Sequence, residues 1–511
     1  MIYFVGAGPG DPGLLTVRGR ECLSRADVVI HDPEVSAGIL QHARSGAELI
    51  DVGHGNSQEG AQAAVSYLLA DKAREGKQVV RLKWGDPFVF ERGAEEALFL
   101  REQNVPYEVV PGVPASIAVP AYAGVPVTYP GGGDTVILVR GFEEDNRALP
   151  DIDWASAARL DGAVLCYLKA PQVPRMLDAL IAAGWSLETQ AVFVQNGTLP
   201  TQETIGGSIV ELRDTIAQSS RGAAGVLIVG RVVNFREHLR WFDTRPLFGR
   251  RILITRPRAQ AAELSDLLAA IGAEPVEVPM IRVLPPEDPA PLQHAAAEPE
   301  AFDWIIFTSA NAVHAFMAAL LHGNRDVRSL KGPLLCAVGS GTAEKLSEYG
   351  IKVDLVPDEF RAESVVAALA PSGSLNAARV LLPRADIGRE VIADALREQG
   401  ANVTEVVAYR TVLEDSLEEA GPDVYKMLLE GRLDVVTFTS PSAVRNFARL
   451  YGEEQVADLL RNTAVATIGP VTTEAATQIG IEVTIQPSTY TIPALVESIA
   501  AHFSVRSVHG S

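Results

Sequence analysis

Two near-identical turns offer the plainest chemistry in this sequence: Phe307-Thr308-Ser309-Ala310-Asn311 and Phe438-Thr439-Ser440-Pro441-Ser442. Each reads as an apolar strand running into a helix N-terminus with hydroxyl N-caps. Free backbone N–H groups at such a terminus, with the helix dipole, bind carboxylates. Ordinary capping explains either turn alone, whereas two facing copies in one chain argue for a ligand cleft. A third turn, Trp84-Gly85-Asp86-Pro87, ends the strand-like run QVVRLKW. Open α/β sheets place ligands beyond the carboxyl ends of their strands, and glycine lets a ligand approach the backbone. Yet Trp84 stands next to Gly85, so the indole either flanks a ligand or fills its space.

A fourth turn, Gly6-Ala7-Gly8-Pro9-Gly10-Asp11-Pro12, follows the first strand directly. Its glycines permit close approach of a cofactor. A dinucleotide fingerprint is disfavoured, since the third glycine is misplaced, Pro9 removes a donor and Asp11 would repel a pyrophosphate. A cofactor with a positive or zwitterionic end suits the loop better. The competing explanation is a tight turn with Asp11 as N-cap and Pro12 at the first helical position. The stretch PGVPASIAVPAYAGVPVTYPGG, Pro111–Gly132, is Pro-studded and rich in small residues, so it is expected to line a cleft rather than pack as a helix. The later residues hold no Ser-His-Asp set and no phosphate loop, and no metal site is expected.

The elements that must position these turns alternate along the chain. MIYFVGA, ADVVIHD, QVVRLKW, TVILVRG, AVLCYLK, AVFVQNG and GVLIVGR are strand-like runs separated by helix-like ones. That alternation predicts parallel sheets with crossover helices. The basic, Pro- and Gly-containing segment RWFDTRPLFGRRILITRPR marks the main boundary, near residue 248. Beyond it the chain repeats itself. DWIIFTSANAVHAF returns as DVVTFTSPSAVRNF, LLCAVGSGTAEKLSEYGIKVDLVP as AVATIGPVTTEAATQIGIEVTIQP, and RILITRPRAQAAELSDLLAAIG as RVLLPRADIGREVIADALREQG. The offset of roughly 130 residues is one domain length, so two similar α/β domains are expected.

The chain has 511 residues, 47% of them hydrophobic and 21% charged, enough for several well-filled cores. A net charge of −20 argues against nucleic acid or anionic membrane as the main partner. An anionic substrate then needs local arginines, for which Arg256, Arg258, Arg384 and Arg410 are the candidates. Cys22, Cys166 and Cys336 lie far apart in no metal spacing, and the chain opens on MIYFVGAGPG without a basic leader. The expectation is a cytoplasmic protein.

Residues 1–245 resemble the tetrapyrrole methylase family, specifically uroporphyrinogen-III C-methyltransferases, through GAGPGD, ADVVIHD, GDPFVF and the Pro111–Gly132 stretch. The resemblance implies two α/β subdomains, about 1–126 and 127–245, around a cleft. It also implies a homodimer through this half and S-adenosyl-L-methionine as cofactor. It places cofactor contacts at Pro9, Gly85, Asp86, Val89, Ala115, Leu168 and Gly197, with Leu168 where the family has methionine. Asp32 matches the proposed proton acceptor, a role that suits methylation of a ring carbon that must later lose a proton. A strand-end cap is the alternative. The family's Gly-Lys-Arg segment reads Gly53-His54-Gly55 here, so His54 either replaces the lysine as proton donor or is a solvated turn residue. Trp84 replaces the first glycine of Gly-Gly-Asp. Thr128-Tyr129-Pro130 and Arg140-Gly141-Phe142 depart from the family's Thr-His-Arg and Thr-Gly-His.

Residues 250–503 resemble uroporphyrinogen-III synthases through ILITRPRAQAAEL, FTSANAVHAF, VLLPRA, VVAYRTV and FTSPSAVRNF. The resemblance implies two flavodoxin-like α/β domains joined by a β linker, about 250–284 with 413–503 and about 285–412. It implies closure of hydroxymethylbilane with inversion of the last ring and no cofactor. Tyr409 matches the candidate acid that assists hydroxyl departure, with a linker tyrosine of high β-propensity as the alternative. Thr308, Ser309, Asn311, Thr439, Ser440, Arg256 and Arg384 are the expected substrate contacts.

The two resemblances together predict a bifunctional enzyme that makes uroporphyrinogen III and methylates it to precorrin-2, in sirohaem and cobalamin-type synthesis. Two alternatives compete with it. In one the synthase is active beside a methylase-like binding or dimerisation module. The other is a hinged small-ligand-binding protein, which fits the repeat alone.

Overall fold

The computed structural model describes residues 1–53, 59–130, 133, 135–141, 152–160, 162–218, 223–278, 281–322, 325–357, 362–369, 375–386, 391–413 and 423–507. The chain forms two compact units: Met1–Ile252 with Asp266–Pro275 and Ala500–Ser511, and Leu253–Ser265 with Val276–Ile499.

In the first unit, β1 (Ile2–Gly6), β2 (Val28–His31), β3 (Glu48–Asp51), β4 (Val79–Lys83) and β5 (Tyr107–Val110) form a sheet in the order β3-β2-β4-β1-β5. Every pairing in it is parallel. Central β4, Val-Val-Arg-Leu-Lys, is buried at each position, as expected of a strand covered on both faces. Arg81 and Lys83 must therefore find their partners inside the protein.

The second sheet has β6 (Thr135–Arg140), β7 (Gly162–Lys169), β8 (Gln190–Gln195), β9 (Glu203–Ser208) and β10 (Ala224–Val229) in the order β6-β7-β10-β8-β9. Here the expected parallel arrangement is corrected. β6–β7 is parallel, but β7–β10, β10–β8 and β8–β9 are antiparallel. The turn between β8 and β9 is too short to hold a crossover helix, so those strands must pair head to tail.

The Pro111–Gly132 stretch brings a second correction. Ala115–Tyr122 is an α-helix that buries Ala115, Ser116, Ala118, Val119 and Pro120. Its small side chains let the backbone lie close against the sheet. Pro120 supplies no N–H, but Ala123 N–H still reaches Val119 O at 2.9 Å and Val125 N–H reaches Pro120 O at 2.8 Å. Apolar burial on this face outweighs the single missing bond.

In the remaining chain, β11 (Arg251–Ile254), β12 (Glu274–Glu277), β18 (Val435–Phe438) and β19 (Ala464–Thr467) form a sheet in the order β12-β11-β18-β19. A five-stranded sheet holds β13 (Ile281–Leu284), β14 (Trp304–Phe307), β15 (Leu334–Ala337), β16 (Arg379–Ala385) and β17 (Asn402–Leu413) in the order β13-β17-β16-β14-β15. It is parallel except for β13, which runs antiparallel to the end of β17 from Ile281↔Leu413 to Leu284↔Arg410.

The internal repeat is visible atom by atom. Ala337 N–H donates to Leu355 O at 3.0 Å, and its counterpart Thr467 N–H donates to Ile485 O at 3.0 Å. Ser309 Oγ accepts Ala312 N–H at 3.1 Å, and Ser440 Oγ accepts Ala443 N–H at 3.2 Å. Matching aromatic pairs, Phe307–Phe316 and Phe438–Phe447, fill the two cores.

Candidate active site

In the first unit the glycine turns are zipped to each other. Gly85 lies at φ +65°, a conformation favouring glycine. Its N–H donates to Gly8 O at 2.9 Å, and Gly8 N–H donates back to Gly85 O at 3.1 Å. A Cβ on Gly6 would stand 2.4 Å from Gly112 Cα, so that glycine serves backbone packing. Asp86 ties the turn down: Oδ1 accepts Phe88 N–H at 2.8 Å and Oδ2 accepts Gly112 N–H at 3.0 Å. Asp11 caps the short 3₁₀ turn Pro12–Leu14 through Gly13 N–H at 2.7 Å, and its other oxygen accepts the Tyr122 hydroxyl at 2.7 Å. Burial and that carboxylate raise the phenol's pKa above its ordinary value.

Trp84 points into this junction. Its Nε1–H donates to Pro9 O at 3.1 Å, and the ring packs against the cluster containing Ala115, Val119 and Val194. It meets Tyr167 edge-on, with centroids 6.4 Å apart. Tyr167 in turn accepts Ser116 N–H at 2.7 Å and touches Phe90, a residue held at φ +61°. Burial raises the Tyr167 pKa.

Of the expected cofactor contacts, Pro9, Gly85, Asp86 and Ala115 come together here. Val89 is half-buried on the next turn, its N–H 3.4 Å from Asp86 O. Leu168 faces the opposite side of β7 from Tyr167, in the core with Cys166 and Met176. Gly197 makes room for a side chain, since a Cβ there would lie 2.5 Å from Val119 Cγ2. The indole takes one acceptor position of the Pro9 carbonyl, while the two Asp86 oxygens hold backbone N–H groups of Phe88 and Gly112.

Asp32, at the end of β2, is 8% exposed. Arg81 Nη2 reaches its Oδ1 at 2.5 Å, Trp84 N–H its Oδ2 at 3.0 Å, and Lys83 Nζ lies 3.7 Å away. Arg81 also binds Glu96 at 3.1 Å, and Lys83 binds Glu91 at 3.3 Å. Burial pushes the Asp32 pKa up, but the Arg81 and Lys83 charges outweigh it and hold the carboxyl below the ordinary carboxylate value. A carboxylate so held is a weak base, and its plainest work is joining β2 to β4. Sequence reasoning missed Arg81, Lys83, Glu96 and Tyr167. The signal was present in two cations within a strand otherwise apolar enough to be central. His54 lies outside the described residues.

In the second unit, Ser309 Oγ is 3.2 Å from the Tyr409 hydroxyl, and both side chains are half-buried. β14 and its helix place the serine; β17 places the tyrosine. Asn311 Oδ1 accepts Gln260 Nε2–H at 2.7 Å. Thr308 and Thr439 follow their strands directly and are half-buried. Ser440 shares a 3.0 Å contact with Ser442. Arg384 pairs with Glu405 at 2.8 Å and Arg410 with Glu287 at 2.7 Å. Arg256 has no such acid partner among the described residues, and the Arg258 side chain is not among them.

Among the described residues no cluster of His, Cys, Asp and Glu could hold a metal ion, and no helix is long and apolar enough to cross a membrane. All three cysteines are buried free thiols, and burial pushes Cys166 and Cys336 up to about 12.

The fold and these constellations define a methylase-like half followed by a synthase-like half, and family comparisons name both. Residues 1–213 match the tetrapyrrole (corrin/porphyrin) methylases, and residues 262–497 match uroporphyrinogen-III synthase HemD. The porphyrin biosynthesis protein HemD of Ruminiclostridium josui is 34% identical over 499 residues, 98% of this chain and 97% of that protein. The uroporphyrinogen-III C-methyltransferase of Bacillus subtilis is 31% identical over 369 residues, 72% of this chain and 75% of that protein. A siroheme synthase of Nitrosomonas europaea is 40% identical over 244 residues, 48% of this chain and 51% of that protein. The chain belongs to the family of porphyrin biosynthesis proteins in which a tetrapyrrole methylase domain precedes a uroporphyrinogen-III synthase domain.

Proposed function

We propose that the second half converts hydroxymethylbilane to uroporphyrinogen III and that the first half receives that product. The observation that carries the synthase reading is the Ser309–Tyr409 hydroxyl pair at a helix N-terminus. Loss of the bilane's terminal hydroxyl as water leaves a stabilised azafulvene cation. Tyr409 is suited to donate its proton to the departing oxygen, and Ser309 to hold the phenol in place. Thr308, Asn311, Thr439 and Ser440 line the two strand-end turns, where backbone N–H groups receive substrate carboxylates. Orientation of a reactive chain does most of the work, since wrong closure competes without any catalyst.

The full-length chain, given hydroxymethylbilane, should yield the type III isomer. A folded protein yielding the spontaneous type I product would refute this reading. Tyr409→Phe should lower kcat by about a hundredfold, the lower end for a general acid, with an unchanged melting curve.

For the first half, the reading is methylation of uroporphyrinogen III by S-adenosylmethionine to precorrin-2, with the Trp84 indole beside the cofactor contacts at Pro9 and Ala115. Trp84 favours a second reading: a methylase-derived module that holds the macrocycle or pairs two chains without methylating. Product analysis with labelled cofactor separates the two, and light scattering of the full chain tests the homodimer.

A further inference from the structure

Arg256 follows β11 on a Thr-Arg-Pro turn, and its guanidinium is poorly satisfied. Nη1 is enclosed and has no hydrogen-bond partner among the described residues; Nη2 reaches Gln260 Oε1 at the long distance of 3.4 Å. Arg384 and Arg410, also candidates for the substrate carboxylates, each hold an acid, whereas Arg256 has none among the described residues. A half-buried guanidinium without a counter-ion is costly in part, because its enclosed edge has lost water and gained no acceptor. Burial indeed lowers its pKa, with Glu263 opposing only through space.

The surroundings of Arg256 lead to the candidate site. Gln260 Nε2–H donates to Asn311 Oδ1 at 2.7 Å, and Asn311 lies in the first turn of the helix that Ser309 caps. Ser309 is the residue that contacts the Tyr409 hydroxyl. The cation, the amide pair and the hydroxyl pair are thus joined through one short segment, Ser309–Asn311.

We propose that the half-buried Arg256 guanidinium receives one side-chain carboxylate of the tetrapyrrole, and that Gln260, bridging to Asn311, is the positioning residue that aims it. The inference rests on the synthase reading and adds to it a group that fixes the orientation of the bilane before closure. A carboxylate supplies both the missing charge and the planar pair of acceptors that a guanidinium fits. No other ligand class offered by this reaction carries an anion.

Arg256→Gln and Arg256→Lys in the full-length protein test it. The glutamine variant should raise KM for hydroxymethylbilane at least about tenfold, the loss of one charge-assisted hydrogen bond, and should increase the fraction of type I isomer. Its melting temperature should not fall, because no acid among the described residues loses a partner; lysine should recover part of the KM. Gln260→Ala should raise KM less than Arg256→Gln. A second arm uses uroporphyrin III, a stable octacarboxylate, titrated by its own fluorescence against wild type and Arg256→Gln. Unchanged KM and unchanged porphyrin affinity would overturn the proposal, as would a lower melting temperature with unchanged KM, the mark of a purely structural arginine. If wild type forms no type III product but binds porphyrin through Arg256, the synthase reading fails and the carboxylate site stands.

Discussion

A single indole sits among the expected cofactor contacts of the first half. Trp84 holds the Pro9 carbonyl and packs beside Ala115, two of the positions where cofactor contact is expected. If a ligand must displace the ring, the ring gives up that hydrogen bond and the edge-on contact with Tyr167, together roughly 1–3 kcal/mol, and glycine removes this cost. Trp84→Gly should therefore bind S-adenosylhomocysteine about tenfold or more tightly than wild type by calorimetry. Equal affinities would show that the ring swings aside at no cost. Asp32 makes a second prediction at this scale. Its folded carboxyl lies below the ordinary value of 3.8, so its stabilisation is present above that value. The stabilisation disappears as the pH falls through and below it. Urea melts of wild type should lose stability below about pH 4, with Asp32 contributing to that loss. Asp32→Asn leaves Arg81 and Lys83 facing one acid fewer and should cost about 3–5 kcal/mol at pH 7. Its acid limb should be flatter than wild type's. A variant as stable as wild type would mean that Glu96 and Glu91 suffice.

At the level of elements, the internal repeat provides its own control. Ser309 and Ser440 cap equivalent helices with nearly equal hydrogen bonds. Ser309→Ala and Ser440→Ala should each destabilise by about 1 kcal/mol, the usual worth of an N-cap. Only Ser309 touches Tyr409, so Ser309→Ala should also lower kcat, whereas Ser440→Ala should leave kcat within about twofold. Similar kcat losses in both variants would show that the hydroxyl pair has no special role. Strand order matters here too. Because β14 and β16 are adjacent and parallel and β17 lies beside β16, the end of β17 is carried to the turn after β14.

Across the whole molecule, a net charge of −20 opposes a polycarboxylate ligand at long range. Added salt screens that repulsion, but it also weakens the local attraction of arginine and helix termini. Buried contacts are screened less than exposed charges. If the local attraction dominates, KM for hydroxymethylbilane should rise modestly, about twofold, between 0.05 and 0.5 M salt. A KM that falls with salt would mean that global repulsion outweighs the cleft.

The sequence by itself determined the strand-like runs that became β1, β2, β4, β6, β7, β8 and β10, the duplicated turns with their serine caps, and the two resemblances. Each of these is written in local spacing: apolar runs, hydroxyls before helices, and motifs repeated at one domain length. Only the tertiary structure decided what depends on partners distant along the chain. The small-residue stretch at Ala115–Tyr122 became a helix because a sheet lay close enough to bury it. The second sheet became mixed, with β10 pairing antiparallel to both β7 and β8 and only β6–β7 parallel. Asp32 was drawn into an ion network by Arg81, 49 residues away. Arg384 found Glu405 while Arg256 found no acid among the described residues, and Trp84 turned toward Pro9, 75 residues away. A residue's type and spacing fix what it can offer, but the three-dimensional packing fixes which group is near enough to accept it.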